Sequence, residues 1–339
     1  MPPISSPPSP LPKEKLVVSV VIVSFQTREL TLRCLRELSA DLRDFAPDET
    51  EVWVVDNASN DGSADAIAKE FPDVHLIALD KNVGFGAANN IAFQRARGQF
   101  FFLLNSDAFV HRGAVRGLLS FLQNHPKVGA VGPKLLNGDG TLQVSCWKFP
   151  SPPRAWLEAS GGALVLGAHP KWGDYFRWAH DEERRVDFVI GAAMLVRRQV
   201  WEKVGGFDPD FFLYAEETDW QKRIWDAGFE VVFWPDVNVT HIGGASGASN
   251  APRTSDLFWQ GQERYILKHF GASGWRSYRG ALLVSALVRG TALGVMSLAP
   301  KRAGARERAR FFGWQIGRIL STPAPQCAAS PPTRATPDT

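Results

Sequence analysis

The chain has 339 residues, 45% of them hydrophobic, enough to build one large domain or two ordinary ones with a full core. Its formal net charge of +3 is too small to point to a nucleic-acid partner. The three cysteines, Cys34, Cys146 and Cys327, form no CxxC pair, which argues against a disulfide scaffold or a zinc site and fits a reducing compartment.

Residues 1–15, MPPISSPPSPLPKEK, are rich in Pro and Ser and lack an apolar core, so a disordered tail is expected there rather than a signal peptide. Residues 16–25, LVVSVVIVSF, form a near-continuous β-branched run of the kind found in buried parallel strands. Leu30, Cys34, Leu35 and Leu38 then repeat at helical spacing. A second strand, 51–55, ends at Asp56, and DNASNDGS is a dense turn and helix-start signal. A short helix over 64–71, a strand over 74–79, the glycine-containing loop 82–86, a helix over 87–97 and a strand over 99–104 follow. Strands alternating with helices of this length predict βαβ units in a doubly wound, mostly parallel α/β sheet.

The run FFFLL ends abruptly in Asn105-Ser106-Asp107. In open α/β sheets ligands sit outside the carboxyl ends of strands. A carboxylate delivered there is placed to hold a hard divalent cation, which takes oxygen ligands. Taken alone, the tripeptide is more commonly a polar turn. Asp56, Asn82 and Asp107 all follow apolar runs, however, and right-handed crossovers put such ends on one sheet edge.

After the strand over 128–136 the pattern loosens through the Pro-rich 148–153 and the Gly- and aromatic-rich 160–180, where an acceptor-specific segment is expected. A strand over 186–197 carries Gly191-Ala192-Ala193, small residues that admit close approach of a ligand. The turn-rich 205–212 precedes a helix over 216–227 with carboxylates crowding its first turn. A strand over 230–234 and a loop over 238–246 carrying His241 complete this part. A dinucleotide-binding oxidoreductase would show GxGxxG after the first strand, where the chain reads Val23-Ser24-Phe25-Gln26.

The ordered set VSVVIVSF, VVDNASNDGS, NVGFGAANN, LLNSDA, GAAMLVRR, GGFDPDFFLYAEETDW and VTHIGG resembles family 2 glycosyltransferases of the GT-A fold, and most of all the bacterial rhamnosyltransferase-like members. It runs from about Val17 to about Gly244. The resemblance implies a Rossmann-like GT-A domain over 16–250, with a nucleotide-binding half to about 130 and an acceptor half beyond it. It implies donor contacts from Ser24, Asp56, Asn57, Asn82, Gly84, Asn105, Ser106 and Asp107, and a Mn or Mg ion on Asp107 and His241. Glu217 would be the catalytic base, with Gly191, Ala192, Glu216 and Asp219 supporting the acceptor side. Family members often carry Asp at both ends of the metal tripeptide. Here Asn105 stands first, as in many rhamnosyltransferase-like members. The acidic pair is Glu216-Glu217 where Glu-Asp is more common.

The implied reaction moves a sugar from a nucleoside diphosphate to a hydroxyl with inversion, and does so once per binding event. Favoured is dTDP-rhamnose as donor and a cell-envelope glycan or lipid-linked glycan as acceptor. A UDP-hexose or UDP-galactofuranose donor, or an inactive nucleotide- or glycan-binding scaffold, is the alternative. An alcohol needs a carboxylate to take its proton. For Glu217 the helix dipole favours the ionised form while Glu216 and Asp219 oppose it, so sequence does not give the sign of its pKa shift. Without the family context, EETDW reads as a helix cap and a lone histidine is seldom a ligand.

Residues 254–270 read as an amphipathic helix. Residues 280–299 are apolar but interrupted by Arg289, so no uninterrupted run reaches the ~18 residues of a transmembrane helix. KRAGARERAR and FFGWQIGRIL follow. Basic residues beside apolar and aromatic faces suit a helix lying on an anionic membrane surface. Packing on the domain, or in a homodimer, is the other reading. The expected location is cytoplasmic, at the inner face of the plasma membrane. A disordered tail is expected over 321–339.

Overall fold

Residues 16–162, 166, 175, 178–243, 251–296 and 303–323 are described by a computed structural model of the chain. The predicted tail at 1–15 lies outside these residues, and so does the tail predicted at 321–339 apart from 321–323, of which Ser321 is the last residue of a helix. Most of 160–180, the end of the His241 loop from 244, and the basic pair at 301–302 also lie outside them.

The first seven elements alternate strand and helix. They are β1 (Val18–Ser24), α1 (Arg28–Asp41), β2 (Thr50–Asp56), α2 (Ser63–Glu70), β3 (His75–Ala78), α3 (Phe85–Phe93) and β4 (Phe100–Asn105). β1 pairs in parallel with both β2 and β4 and is buried at all seven positions. Its alternate side chains serve two cores. Val18, Val20 and Ile22 meet Leu35 and Leu38 of α1, while Val21 and Val23 meet Ala88, Ala92 and Phe93 of α3. Each buried Val or Ile contributes roughly 1.5–3 kcal/mol relative to exposure.

Two elements that the sequence reading passed over come next, β5 (Ala108–Val110) and α4 (Ala114–Asn124). Gly113 and Val115 backbone N–H groups donate to the buried carboxylate of Asp41 at the end of α1, so α4 is capped from outside itself. Then come β6 (Val128–Leu136), β7 (Leu142–Gln143), β8 (Cys146–Trp147), α5 (Pro152–Ala159), β9 (Arg184–Arg185), β10 (Phe188–Val189), β11 (Ala193–Arg197), α6 (Arg198–Val204), α7 (Glu216–Asp226) and β12 (Glu230–His241).

The main sheet runs β3-β2-β1-β4-β11-β6-β12-β5, with β7 on β6 and β9 on β12. β11 is antiparallel to β4 and β6, while β12 is parallel to β6. The sheet is therefore mixed and mostly parallel, with helices on both faces. Two expectations change. The single strand over 186–197 is broken. β10 pairs with β8 in a separate two-stranded sheet, and the chain bends through Ile190–Ala192 before β11 joins β4. His241 is not in a loop: β12 continues past a register shift at Trp234 and ends on His241, because Asn238–Thr240 still pair with Lys134–Leu136.

α8 (Ala251–Met296) is broken at Gly271, whose φ of 65° is left-handed. α9 (Ala303–Ser321) packs back along it. Glu263, 1% exposed, accepts from Arg318 at 2.9 Å and from Trp275 at 3.2 Å and locks the two helices together. By length and composition α8 is apolar enough to cross a membrane despite Arg289. The window that qualifies has a mean hydropathy of 1.3 and is only 17% buried. Asp41→Ala should remove the α4 cap and lower unfolding free energy by about 1–2 kcal/mol at unchanged m-value in urea titration.

Candidate active site

Carboxyl ends of β1, β2, β4 and β12, and the start of the antiparallel β11, all open on one sheet edge. A cavity of about 1360 Å3 lies there. Asn57, Asn82, Gly84, Asn105, Ser106, Asp107, Gly191, Ala192, Glu216, Glu217 and His241 all line it. Ser24, Asp56 and Asp219 do not.

On the donor side, side chains hold loops in place. Asn57 accepts from the Val83 amide at 2.9 Å and donates to Asn82 Oδ1 at 3.0 Å, which itself accepts from the Gly84 amide at 2.9 Å. Gly84 has φ 88° and lies so close to the Phe212 carbonyl that a Cβ would stand 2.3 Å from its oxygen. The residue must be glycine on both counts. Ser24 is buried under the edge, bonded to Thr31 at 2.9 Å, while Ser106 meets Thr27 at 2.9 Å. Asp56 accepts from the Ser59 amide at 3.1 Å through Oδ2, and its Oδ1 is buried without a hydrogen-bond partner.

Asp107 and His241 meet because β12 pairs with β5, setting His241 opposite Ala108. His241 Nε2 lies 3.3 Å from Asp107 Oδ1 and 3.5 Å from Asn105 Nδ2. Gln143, unnoticed in the sequence, fixes the ring. Its Nε2 donates to the His241 carbonyl at 3.1 Å and to Asn137 Oδ1 at 3.0 Å. Its Oε1 therefore faces His241 Nδ1, 2.7 Å away, and must accept. In the neutral ring this network assigns the proton to Nδ1 and turns the Nε2 lone pair toward Asp107. A nitrogen lone pair beside a carboxylate suits a divalent cation, and a ring fixed through its other nitrogen is the usual support for one. The buried Asn105 Oδ1, which has no hydrogen-bond partner, adds an oxygen beside them. Among the described residues no group of three or more His, Cys, Asp or Glu comes together to hold a metal. The donor set therefore fits a cation whose remaining ligands are diphosphate and water oxygens.

Opposite stands the start of α7. Tyr214 and Ala215 enter it with φ of 69° and 68°, both left-handed without being glycine. Such strain persists only where neighbours enforce it. Here Phe212 O accepts from the Phe85 amide at 3.1 Å, and α8 lies against the Tyr214 carbonyl, where a Cβ on Gly261 would stand 2.4 Å away. Glu216 points inward, 3% exposed, with Oε2 lacking a partner. Glu217 is half-buried at the cavity wall beside Gly191, where a Cβ would touch the Glu217 side-chain stem at 3.6 Å. Burial pushes the Glu217 carboxyl up to about 7, against the pull of the Glu217 and Thr218 amides. Burial, then the charge of Glu217, raises Glu216 well above the ordinary range. Desolvation thus decides the sign that the sequence left open.

Asp219 is fully buried on the far side of α7. It accepts from Arg223 at 2.9 Å and His269 at 2.9 Å and pairs with Lys268 at 2.8 Å, tying α7 to α8. Burial would raise its carboxyl, but His269, Arg223 and Lys268 outweigh that and hold it at about 2. Its folded pKa lies below the unfolded value near 3.9. The stability it contributes is therefore complete above about pH 4 and is lost as pH falls through 2. In acid titrations the wild type should lose on the order of 2 kcal/mol more than Asp219→Asn between pH 5 and pH 2, read by denaturant unfolding at each pH.

Comparison with known proteins identifies the family and the fold. The family described as Glycosyl transferase family 2 matches residues 19–205. An N-acetylglucosaminyl-diphospho-decaprenol L-rhamnosyltransferase of Mycobacterium tuberculosis is 30% identical over 275 residues, 76% of this chain and 86% of that protein. O-antigen biosynthesis protein RfbC of Myxococcus xanthus is 28% identical over 72% of this chain, which spans 19% of RfbC. Among solved structures, the mannosyltransferase PcManGT from Pyrobaculum calidifontis, in complex with GDP-Man and Mn2+, superposes with a TM-score of 0.54 at 18% identity. That match covers 92% of this chain and 89% of the other, and establishes a shared GT-A fold. The chain belongs to glycosyl transferase family 2 and is a glycosyltransferase.

Proposed function

We propose that the enzyme transfers a sugar, with dTDP-rhamnose the favoured donor, to a hydroxyl of a lipid-linked cell-envelope glycan, inverting the anomeric carbon. One observation carries this reading: Glu217 lines the same cavity as the Asp107–His241 pair. The name of the mycobacterial relative supports the sugar and the acceptor class, since that protein is a rhamnosyltransferase acting on a decaprenyl diphosphate sugar.

The donor's diphosphate would lie at the β4 edge, with its nucleoside toward Asn57, Asn82 and Phe25. Asp107 and His241 would hold a Mn2+ or Mg2+ ion. When bound, the ion supplies charge that stabilises the leaving diphosphate. Gln143 keeps His241 in the liganding tautomer. Glu217 takes the proton from the acceptor hydroxyl, and its raised pKa suits it to accept one near neutral pH. Burial and the charge of Glu217 favour the neutral form of Glu216 beside the base. The exposed apolar residues Leu287, Val288 and Val295 of α8 and Phe311, Trp314 and Leu320 of α9 favour docking on a membrane surface, where a lipid-linked acceptor resides.

Glu217→Gln should lower kcat by roughly 10²–10⁴-fold while leaving dTDP affinity unchanged. In the wild type, kcat/KM should rise with pH through about 7 as Glu217 loses its proton. Full activity in Glu217→Gln, or a flat profile across this range, would sink the base assignment. Asp107→Ala should weaken Mn2+-dependent binding of dTDP by at least roughly 10- to 100-fold in calorimetric titration. An unchanged affinity would remove Asp107 from the metal site.

A further inference from the structure

The cavity is larger than one donor needs. Ligand pockets usually measure about 300–1,000 Å3, and this one holds about 1360 Å3. Its walls continue past Glu217 to α5 and α8. Pro150 and Ala155 line one side of this arm, and Leu257, Phe258, Tyr278 and Leu282 line the other. Into these apolar walls the chain sets three cations, Lys148, Arg154 and Arg289, all lining the same cavity.

Arg289 is the least expected of them. It is the only charged residue between Gly280 and Ala299, and it interrupts an otherwise apolar segment. Its Nη2 donates to the Glu158 carbonyl at 3.3 Å, and the Glu158 carboxylate pairs with Arg154 at 3.1 Å. Two guanidinium groups, one from α5 and one from α8, thus converge on one residue at the cavity wall. Lys148, paired with Asp187 at 3.4 Å, and Arg154 have side chains only 14% and 20% exposed. Arg289 is exposed and reaches the wall from the solvent side, whereas at Lys148 and Arg154, shielded from water, charge interactions are less screened. Guanidinium forks also match phosphate oxygens bidentately. Tyr278, Leu282 and Arg289 span about 16 Å of helix at 1.5 Å per residue. A hydrocarbon chain following this face of α8 would run along Tyr278 and Leu282.

We infer that this arm is the acceptor subsite, in which Arg154 and Arg289, with Lys148, hold the diphosphate of a prenyl-diphosphate-linked sugar while its prenyl chain lies against Tyr278 and Leu282. The inference rests on the transferase reading with a lipid-linked acceptor. It adds which residues of this chain recognise the lipid diphosphate, and it separates them from the metal-dependent diphosphate site at Asp107.

The test titrates the full chain with geranyl diphosphate by calorimetry in EDTA, which silences metal-dependent binding at Asp107 and His241. Geraniol and inorganic diphosphate are titrated alongside. Geranyl diphosphate should bind, and each of the two fragments should bind at least roughly tenfold more weakly. Arg154→Gln and Arg289→Gln should each weaken geranyl diphosphate by roughly tenfold or more, and the double variant by more again. Both variants should bind dTDP with Mn2+ as the wild type does, which also reports that they are folded; Lys148→Gln provides an independent third variant. Equal affinity of geranyl diphosphate for wild type and double variant would overturn the proposal. So would inorganic diphosphate binding as tightly as geranyl diphosphate, which marks a free-phosphate site, or affinity that depends on Asp107. Failure of the wild type to bind any nucleoside diphosphate with Mn2+ would instead strike the donor reading, whatever geranyl diphosphate does.

Discussion

Antiparallel insertion of β11 between β4 and β6 is the constraint on which the site depends. Parallel strands send their carboxyl ends to one edge of a sheet, and there β1, β2, β4 and β12 deliver polar residues. A strand running the opposite way brings its beginning to that same edge. The bend at Gly191-Ala192 therefore lands beside Asn105, whose amide donates to the Ala192 carbonyl at 2.9 Å. The small residues of the bend, the tripeptide after β4 and the histidine ending β12 become neighbours through main-chain pairing alone. Their side chains have little conformational freedom left to lose when a ligand arrives.

The start of α7 is held differently. Tyr214 and Ala215 adopt a conformation that costs energy, and the contacts forcing it come from two directions: the Gly84 loop on the donor side and Gly261 of α8 behind. The two glutamates that follow are kept in surroundings poor in water. Carboxylates in water would be fully ionised near neutral pH and poor proton acceptors. Here burial raises both carboxyls, Glu217 to about 7 and Glu216 well above the ordinary range.

The N-terminal alternation was legible because β1 and β4 are buried on both faces and the helices between strands on one, so hydrophobic period separates them. The GT-A sheet and the family followed from motifs whose order is hard to produce by chance. What escaped has physical reasons. Helix α4 repeats Val115, Leu118, Leu119 and Leu122 at helical spacing, but its cap is Asp41, far away in sequence, so no local start signal marks it. The extension of β12 to His241 depends on pairing with β5 and β6, which a local pattern broken by Pro235 and Asp236 conceals. Gln143 carries no motif and becomes meaningful only once folding sets it against His241. The spacing of Asp219 from Glu217 already puts it on another face of the helix; what the sequence does not show is the set of partners, Lys268 and His269, through which it binds α7 to α8.

The approach of Gly261 to the Tyr214 carbonyl also bears on how this enzyme divides into modules. The family signature covers residues 19–205 and so stops before Glu217, His241 and the helix that presses on Tyr214. The segment matched by the family signature therefore carries the first strand ends that frame the cavity but not the helix that presses on Tyr214. A chimera that grafts a foreign C-terminal helix onto this platform would still shift the start of α7 unless the new helix offered a residue without a side chain at that one point of contact. The entry to α7 and the seating of α8 are thus mechanically linked, so neither can move without displacing the other.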